Sequence, residues 1–245
     1  MASASETGHA KNAALFESLI SFCAGYGASY NPSKAEIHMA ALTALQTRAL
    51  NSIGALNASK TAWTNASNVR RAAFAPLKKL CTQVINALDA TASADKLLAS
   101  DAKSINHKIQ GRRVRDKPAP PAADHAAAED KTISVFQQSC NSLIENFAKL
   151  IELLRAEPTY APNEADLQVS ALIATLERLR AANTAVINAY ANYNNAIIAR
   201  NAILYGVPGG LAEIASDVKK YVKSVFGATS PQFKQVRKLA FRKVR

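Results

Sequence analysis

Tyr30-Asn31-Pro32-Ser33-Lys34-Ala35-Glu36-Ile37 returns 130 residues later as Tyr160-Ala161-Pro162-Asn163-Glu164-Ala165-Asp166-Leu167. The register holds without a gap from residues 30–115 to 160–245. It passes through Ala41/Ala171, Leu42/Leu172, Arg48/Arg178, Trp63/Tyr193, Asn65/Asn195, Ala66/Ala196 and Arg70/Arg200, and closes with Arg112-Arg113-Val114-Arg115 against Arg242-Lys243-Val244-Arg245. An ungapped match of that length requires helix lengths and turns to agree together, so an internal duplication is predicted. The alanines weigh little in it; the Tyr-x-Pro openings, the paired Asn and Arg, and the shared basic ends weigh more.

Both octets carry helix-start chemistry. Ser33 with Glu36, and Asn163 with Asp166, place a capping side chain three residues before an acid, and Pro32 and Pro162 stop any preceding helix. Beyond them small or apolar residues recur every three or four positions, first as Leu42, Leu45, Ala49, Ser52, Leu56, Ser59, Trp63 and Ala66. The second series is Leu172, Thr175, Leu179, Ala182, Val186, Ala189, Tyr193 and Ala196. This seven-residue repeat predicts long, closely packed helices of about forty residues, roughly 60 Å at 1.5 Å per residue.

A shorter heptad precedes each octet: Leu15, Leu19, Phe22, Tyr26 in one, and Ile133, Phe136, Cys140, Leu143, Phe147, Leu150, Leu154 in the other. Pro76 interrupts the first long helix and Gly206-Val207-Pro208-Gly209-Gly210 ends the second. Two short helices should follow each, the last starting after Ser100 and at Ser230-Pro231, where an N-cap meets proline at the first helical position. The prolines of Asp116–Ala123 mark a linker. The predicted fold is therefore all-α: a bundle of about four helices over 1–115, a Pro/Ala-rich linker over 116–128, and a second bundle over 129–245.

Composition agrees with helices rather than a sheet. The 245 residues are 49% hydrophobic but only 7% aromatic, and Ala dominates the apolar fraction. Thirty basic residues against 18 acidic give a net charge of +12, which attracts anionic partners without specifying one. Three widely spaced cysteines, Cys23, Cys81 and Cys140, fit buried thiols better than a disulfide framework. The N-terminus has no secretory pattern and no apolar run approaches a membrane span. A cytoplasmic protein is expected, with export lacking a signal peptide left open.

No residue pattern builds an active site. His9, His38, His107 and His125 are scattered and read as surface residues, not metal ligands. The glycine cluster at 206–210 lacks the Gly-Lys-Ser/Thr ending of a phosphate cradle. No catalytic, cofactor-binding or metal-binding residue is expected. Arg70 and Arg200 fall on the heptad seam, where a charge must be paired or reach outward; a structural Arg setting register, with Asn65 and Asn195 nearby, is preferred to a ligand role. The run Asn188, Asn192, Asn194, Asn195 with Tyr190, Tyr193 and Tyr205 is either a contact surface or a polar face interleaved with core.

The unit ends are the best-defined candidates for contact with an anion or nucleic acid. Lys108, Arg112, Arg113 and Arg115 close the first unit. Lys234, Arg237, Lys238, Arg242, Lys243 and Arg245 close the second, and on a continuous helix Lys234, Arg237, Lys238 and Arg242 share one face. Such charges also complement helix C-termini.

At Tyr160–Leu167, and again at Val218-Lys219-Lys220-Tyr221-Val222-Lys223-Ser224-Val225-Phe226-Gly227-Ala228-Thr229-Ser230-Pro231-Gln232-Phe233-Lys234, the chain resembles a group of uncharacterised, internally duplicated, all-helical bacterial proteins. The first unit departs from that pattern, with Lys96-Leu97 where the second has Phe226-Gly227. The resemblance implies a bacterial source and carries no activity, cofactor or catalytic residue. The leading expectation is a non-enzymatic structural or interaction protein forming homo-oligomers or filaments through its helical faces. The alternatives are sequence-independent nucleic-acid binding by the basic ends and, more weakly, action on membranes.

Overall fold

The computed structural model describes residues 4–91, 95–111 and 139–242, and among these every regular element is helical. The order is α1 (Ala4–Gly25), α2 (Met39–Phe74), α3 (Leu77–Asp89), α4 (Lys96–Gln110), α5 (Cys140–Ala156), α6 (Val169–Tyr205), α7 (Leu211–Phe226) and α8 (Pro231–Arg237). The predicted linker 116–128, Ile133 and Phe136 lie outside the described residues.

The two octets fold alike, though not by the capping expected. Each makes a single 3-10 turn, Ala35–Ile37 and Ala165–Leu167, whose flanking Lys34 and Glu164 make no side-chain cap. The long helix begins one step later, after His38 and Gln168 in extended conformation, so Ser33 and Asn163 do not cap it. The tyrosine explains the opening motif. Tyr30 is buried and its hydroxyl donates to the Ile37 carbonyl at 2.8 Å; Tyr160 donates to the Leu167 carbonyl at 2.9 Å. The His38 ring meets the Pro32 carbonyl at 2.9 Å, and Gln168 Nε2 donates to the Pro162 carbonyl at 3.5 Å. A ring holding its own turn shut satisfies a carbonyl that the 3-10 geometry leaves open.

Helices α2 and α6 run 36 and 37 residues. Their seams are buried early, at Leu42, Leu45, Ala49, Ser52 and Leu56 and at Leu172, Leu179, Ala182 and Val186, and half-buried from Ser59 and Ala189 onward. In α1 the buried stripe is Ala13, Phe16, Leu19 and Cys23, with Leu15, Phe22 and the following Tyr26 half-buried, so the buried face is rotated from the expected heptad. Helix α4 starts at Lys96 rather than after Ser100, because the Asp95 carboxylate accepts the Leu97 N–H at 2.9 Å. Ser230 caps α8 as its sequence predicts, accepting the Phe233 N–H at 3.1 Å with Pro231 next to it.

Two compact units form, and they cut the chain differently from the tandem division at 1–115 and 129–245. Unit 1 comprises residues 1–63 with 189–245; unit 2 comprises residues 64–188. In unit 1, Phe16 and Leu19 of α1 and Leu42 and Leu45 of α2 share a core with Leu204 of α6, Leu211, Ile214 and Val218 of α7, and Val236 of α8. In unit 2, Leu77, Val84 and Leu88 of α3 and Ile109 of α4 share a core with Phe147, Leu150 and Leu154 of α5 and Leu172 and Leu179 of α6, with Phe74 of α2 against them. The beginning of each long helix therefore packs with the short helices that follow the other long helix. The apolar stripes of α3 and α7 correspond in part at the 130-residue spacing: Cys81, Val84 and Leu88 match buried Leu211, Ile214 and Val218, whereas buried Leu77 matches Val207, which is 80% exposed.

Candidate functional site

The basic C-terminal region is built by α7, α8 and the segment that follows. Lys234, Arg237, Lys238 and Arg242 are all exposed, as expected. Helix α8 stops at Arg237, however, so Arg242 does not continue a helical face. Its position is set by backbone contacts instead. The Arg242 N–H donates to Asn12 Oδ1 at 3.3 Å, and Asn12 Nδ2 donates to the Arg242 carbonyl at 2.7 Å and to the Tyr205 hydroxyl at 2.9 Å. His9 Nδ1 lies 2.7 Å from that same hydroxyl.

Both His9 and Asn12 are buried at 3% exposure, which corrects the expectation of a surface histidine. Nothing local in the sequence marks them, because their partners lie about two hundred residues away. The segment is also held by Phe241 edge-on to Phe16, with centroids 6.4 Å apart, and by Lys219, which donates to the Leu239 carbonyl and stands 5.0 Å over the Phe241 ring. Burial pushes the Lys219 ammonium below its ordinary value. Lys223 stands 5.9 Å over Phe233.

At the first basic end, Lys108 is exposed in the last turn of α4, which Gly111 closes in the left-handed conformation at φ 75°. Arg112, Arg113, Arg115, Lys243 and Arg245 lie outside the described residues.

Both seam arginines donate to asparagine side chains. In unit 2, Arg70 Nη1 donates to Asn183 Oδ1 at 3.1 Å, and buried Asn183 donates in turn to Asn141 Oδ1 at 2.8 Å. In unit 1, Arg200 is 7% exposed and donates through Nε and Nη2 to Asn201 Oδ1 at 3.2 and 2.8 Å. Asn65 and Asn195 are exposed. Within the Asn/Tyr run, Tyr193 stacks on Trp63 at 5.5 Å and 15°, and Tyr190 tilts against it at 5.2 Å; Asn188, Asn192 and Asn195 are exposed.

Unit 2 also bears an open groove of about 740 Å³ between α4 and α5. Ile105, Ile144, Ala148 and Leu153 line it, and charges of both signs, among them Asp101, Lys108, Glu152 and Arg180, stand around it. That mixture suits a polar-rimmed protein contact better than a charged small molecule. Among the described residues no three His, Cys, Asp or Glu side chains gather to hold a metal ion, and no helix is long and apolar enough to cross a membrane. Cys23 and Cys81 are buried free thiols, pushed by that burial to about 11 and about 12, so neither is an activated nucleophile; Cys140 is half-buried. Comparison with protein families, with curated proteins and with solved structures finds no match to this chain.

Proposed function

We propose that the protein is a non-enzymatic structural or interaction subunit, made from one helical block used twice, that associates with copies of itself through its long helices. The observation that carries this reading is where large apolar side chains meet solvent. On the long helices, Leu50, Tyr190 and Ile198 of unit 1 are 51%, 49% and 66% exposed and Val69 and Ile187 of unit 2 are 61% and 55% exposed; off them, Val207 and Leu97 are 80% and 77% exposed. The five on α2 and α6 belong to helices that already bury a seam, so apolar side chains of each unit remain for a partner.

The single ancestral block is supported by recurring detail rather than by helix count. The Tyr30 and Tyr160 turns repeat bond for bond. The buried α1 positions Ala13, Phe16, Leu19 and Cys23 recur in α5 as Ile144, Phe147, Leu150 and Leu154, now 131 residues on, a one-residue change before the octet. Trp63 stacks on its own counterpart, Tyr193. A duplicated subunit presents two similar surfaces, and heterologous contacts between such surfaces propagate into rings or filaments.

Sedimentation equilibrium over a wide concentration range tests the reading. The mass should rise above the 26.1 kDa of one chain with increasing concentration, and Ile198→Glu should lower it, because a charge on an apolar contact is costly to desolvate. A single 26.1 kDa species at every concentration and salt would sink self-association.

A further inference from the structure

The net charge is unevenly divided. Unit 1 holds 14 Lys and Arg against five Asp and Glu, whereas unit 2 holds 16 against 13. Within unit 1 the excess is concentrated between Val218 and Arg242, which contain seven basic residues and no acid. Lys220 shares the Asp217 carboxylate with Lys34, at 3.1 and 2.6 Å. Lys223, Lys234, Arg237, Lys238 and Arg242 are exposed and make no ion pair among the described residues. Compensation of helix C-termini accounts for Lys223, Lys234 and Arg237, which sit in last turns. It extends to Lys238, the C-cap of α8, but not to Arg242, which lies five residues past the end of that helix, nor to the Asn12 and Lys219 contacts that pin the segment carrying it.

We infer that α7, α8 and the segment to Arg242 form a docking surface for the phosphate backbone of double-stranded nucleic acid, bound without regard to sequence. Charge complementarity selects a polyanion. The aromatic rings select the duplex. Phe233 and Phe241 are half-buried against the core with Lys223 and Lys219 standing over them, so they are not offered to unstacked bases, as a single-strand platform requires. Among large apolar side chains in this stretch, Val225 is the exposed one, at 45%, which leaves little to insert into a lipid surface. The surface uses none of the residues proposed for self-association, so the two readings succeed or fail separately.

Fluorescence anisotropy of the full chain with labelled duplexes of about 25 base pairs, in two unrelated sequences, tests this. Engagement of five phosphates predicts a log–log salt slope of about −4.5, so binding should weaken about 500-fold between about 50 and about 200 mM salt, equally for both sequences. Arg237→Glu with Lys238→Glu should weaken binding by about tenfold or more at low salt and flatten the slope by about two. Lys79→Glu with Lys96→Glu makes the same charge change on unit 2 and should leave binding within about twofold. Thermal melts report whether the variants fold; should the reversal pair melt early, Lys234→Gln with Arg242→Gln carries the same comparison. Four results overturn the proposal: no binding at low salt, a slope near zero, equal weakening by the unit 2 pair, or binding to anionic phosphatidylglycerol vesicles but not to duplexes.

Discussion

Cutting the chain between residues 115 and 129 should destroy both units, and this is the sharpest consequence of the way distant segments share each core. A fragment of residues 1–115 keeps α1, α2, α3 and α4 but loses everything that completes the unit 1 core from residue 189 onward. The lost side chains include Leu204, Leu211, Ile214, Val218, Val222 and Val236, all 3% exposed or less in the intact chain. At about 1.5–3 kcal/mol for each buried side chain, the loss is about 9–18 kcal/mol. A domain of this size is stable by only about 5–15 kcal/mol, so the fragment cannot hold unit 1 alone. In the same fragment α3 and α4 lose Phe147, Leu150, Leu154 and Leu172 from beneath them. The expected outcome is a fragment with no cooperative thermal transition as a monomer, read by circular dichroism alongside sedimentation. Mixing it with residues 129–245 should restore the transition, since the two pieces supply each other's missing helices. Two fragments of like pattern also permit an exchanged homodimer, which sedimentation resolves by mass. A fragment 1–115 that stays monomeric and melts cooperatively with full helicity would refute the exchanged packing and reinstate two contiguous bundles.

The remaining expectations concern single groups. Glu157 accepts the Thr159 hydroxyl at 2.6 Å and the N–H groups of Asp95 and Thr159 at 3.0 and 3.2 Å, and these bonds, the hydroxyl first, hold its carboxyl below the ordinary 4.5. Its folded value being depressed, its contribution is complete above the unfolded value and disappears as pH falls through the folded one; urea unfolding at several pH values should give Glu157→Gln a shallower acid limb than wild type, and parallel limbs would contradict this. Half-buried Cys140 should react with a thiol reagent in the native protein at pH 8, while Cys23 and Cys81 react only as it unfolds; all three reacting at one rate would show that the cores are open. Ser230→Ala removes the cap on the Phe233 N–H and should cost about 1 kcal/mol in denaturant unfolding. Asn12→Ala should loosen the segment at Arg242, giving faster amide exchange at Leu239–Arg242 and weaker duplex binding, with α1 still helical by circular dichroism.

Local chemistry was legible in the residues themselves. The heptad spacing gave helices whose lengths fell within a few residues of expectation, and Ser230-Pro231 marked a helix start that the backbone adopts. Each of these is decided within a turn or two of chain, where side-chain spacing and backbone sterics act directly. The octets were legible as openings but not as caps, because their tyrosines reach seven residues forward and the 3-10 turn takes the place where a cap was expected. The basic C-terminal stretch was visible as charge. That its last arginine is placed by Asn12, 230 residues earlier, was not.

Sequence alone determined that this chain is helical and where its positive charge is concentrated. Only the tertiary structure decided which copy of each element packs on which, with α1 and the start of α2 meeting α7 and α8 rather than α3 and α4. The physical reason is degeneracy. Apolar spacing fixes which face of a helix is buried but not which helix covers it, and the partner is met through contacts far apart in sequence such as Asn12 with Arg242 and Arg70 with Asn183.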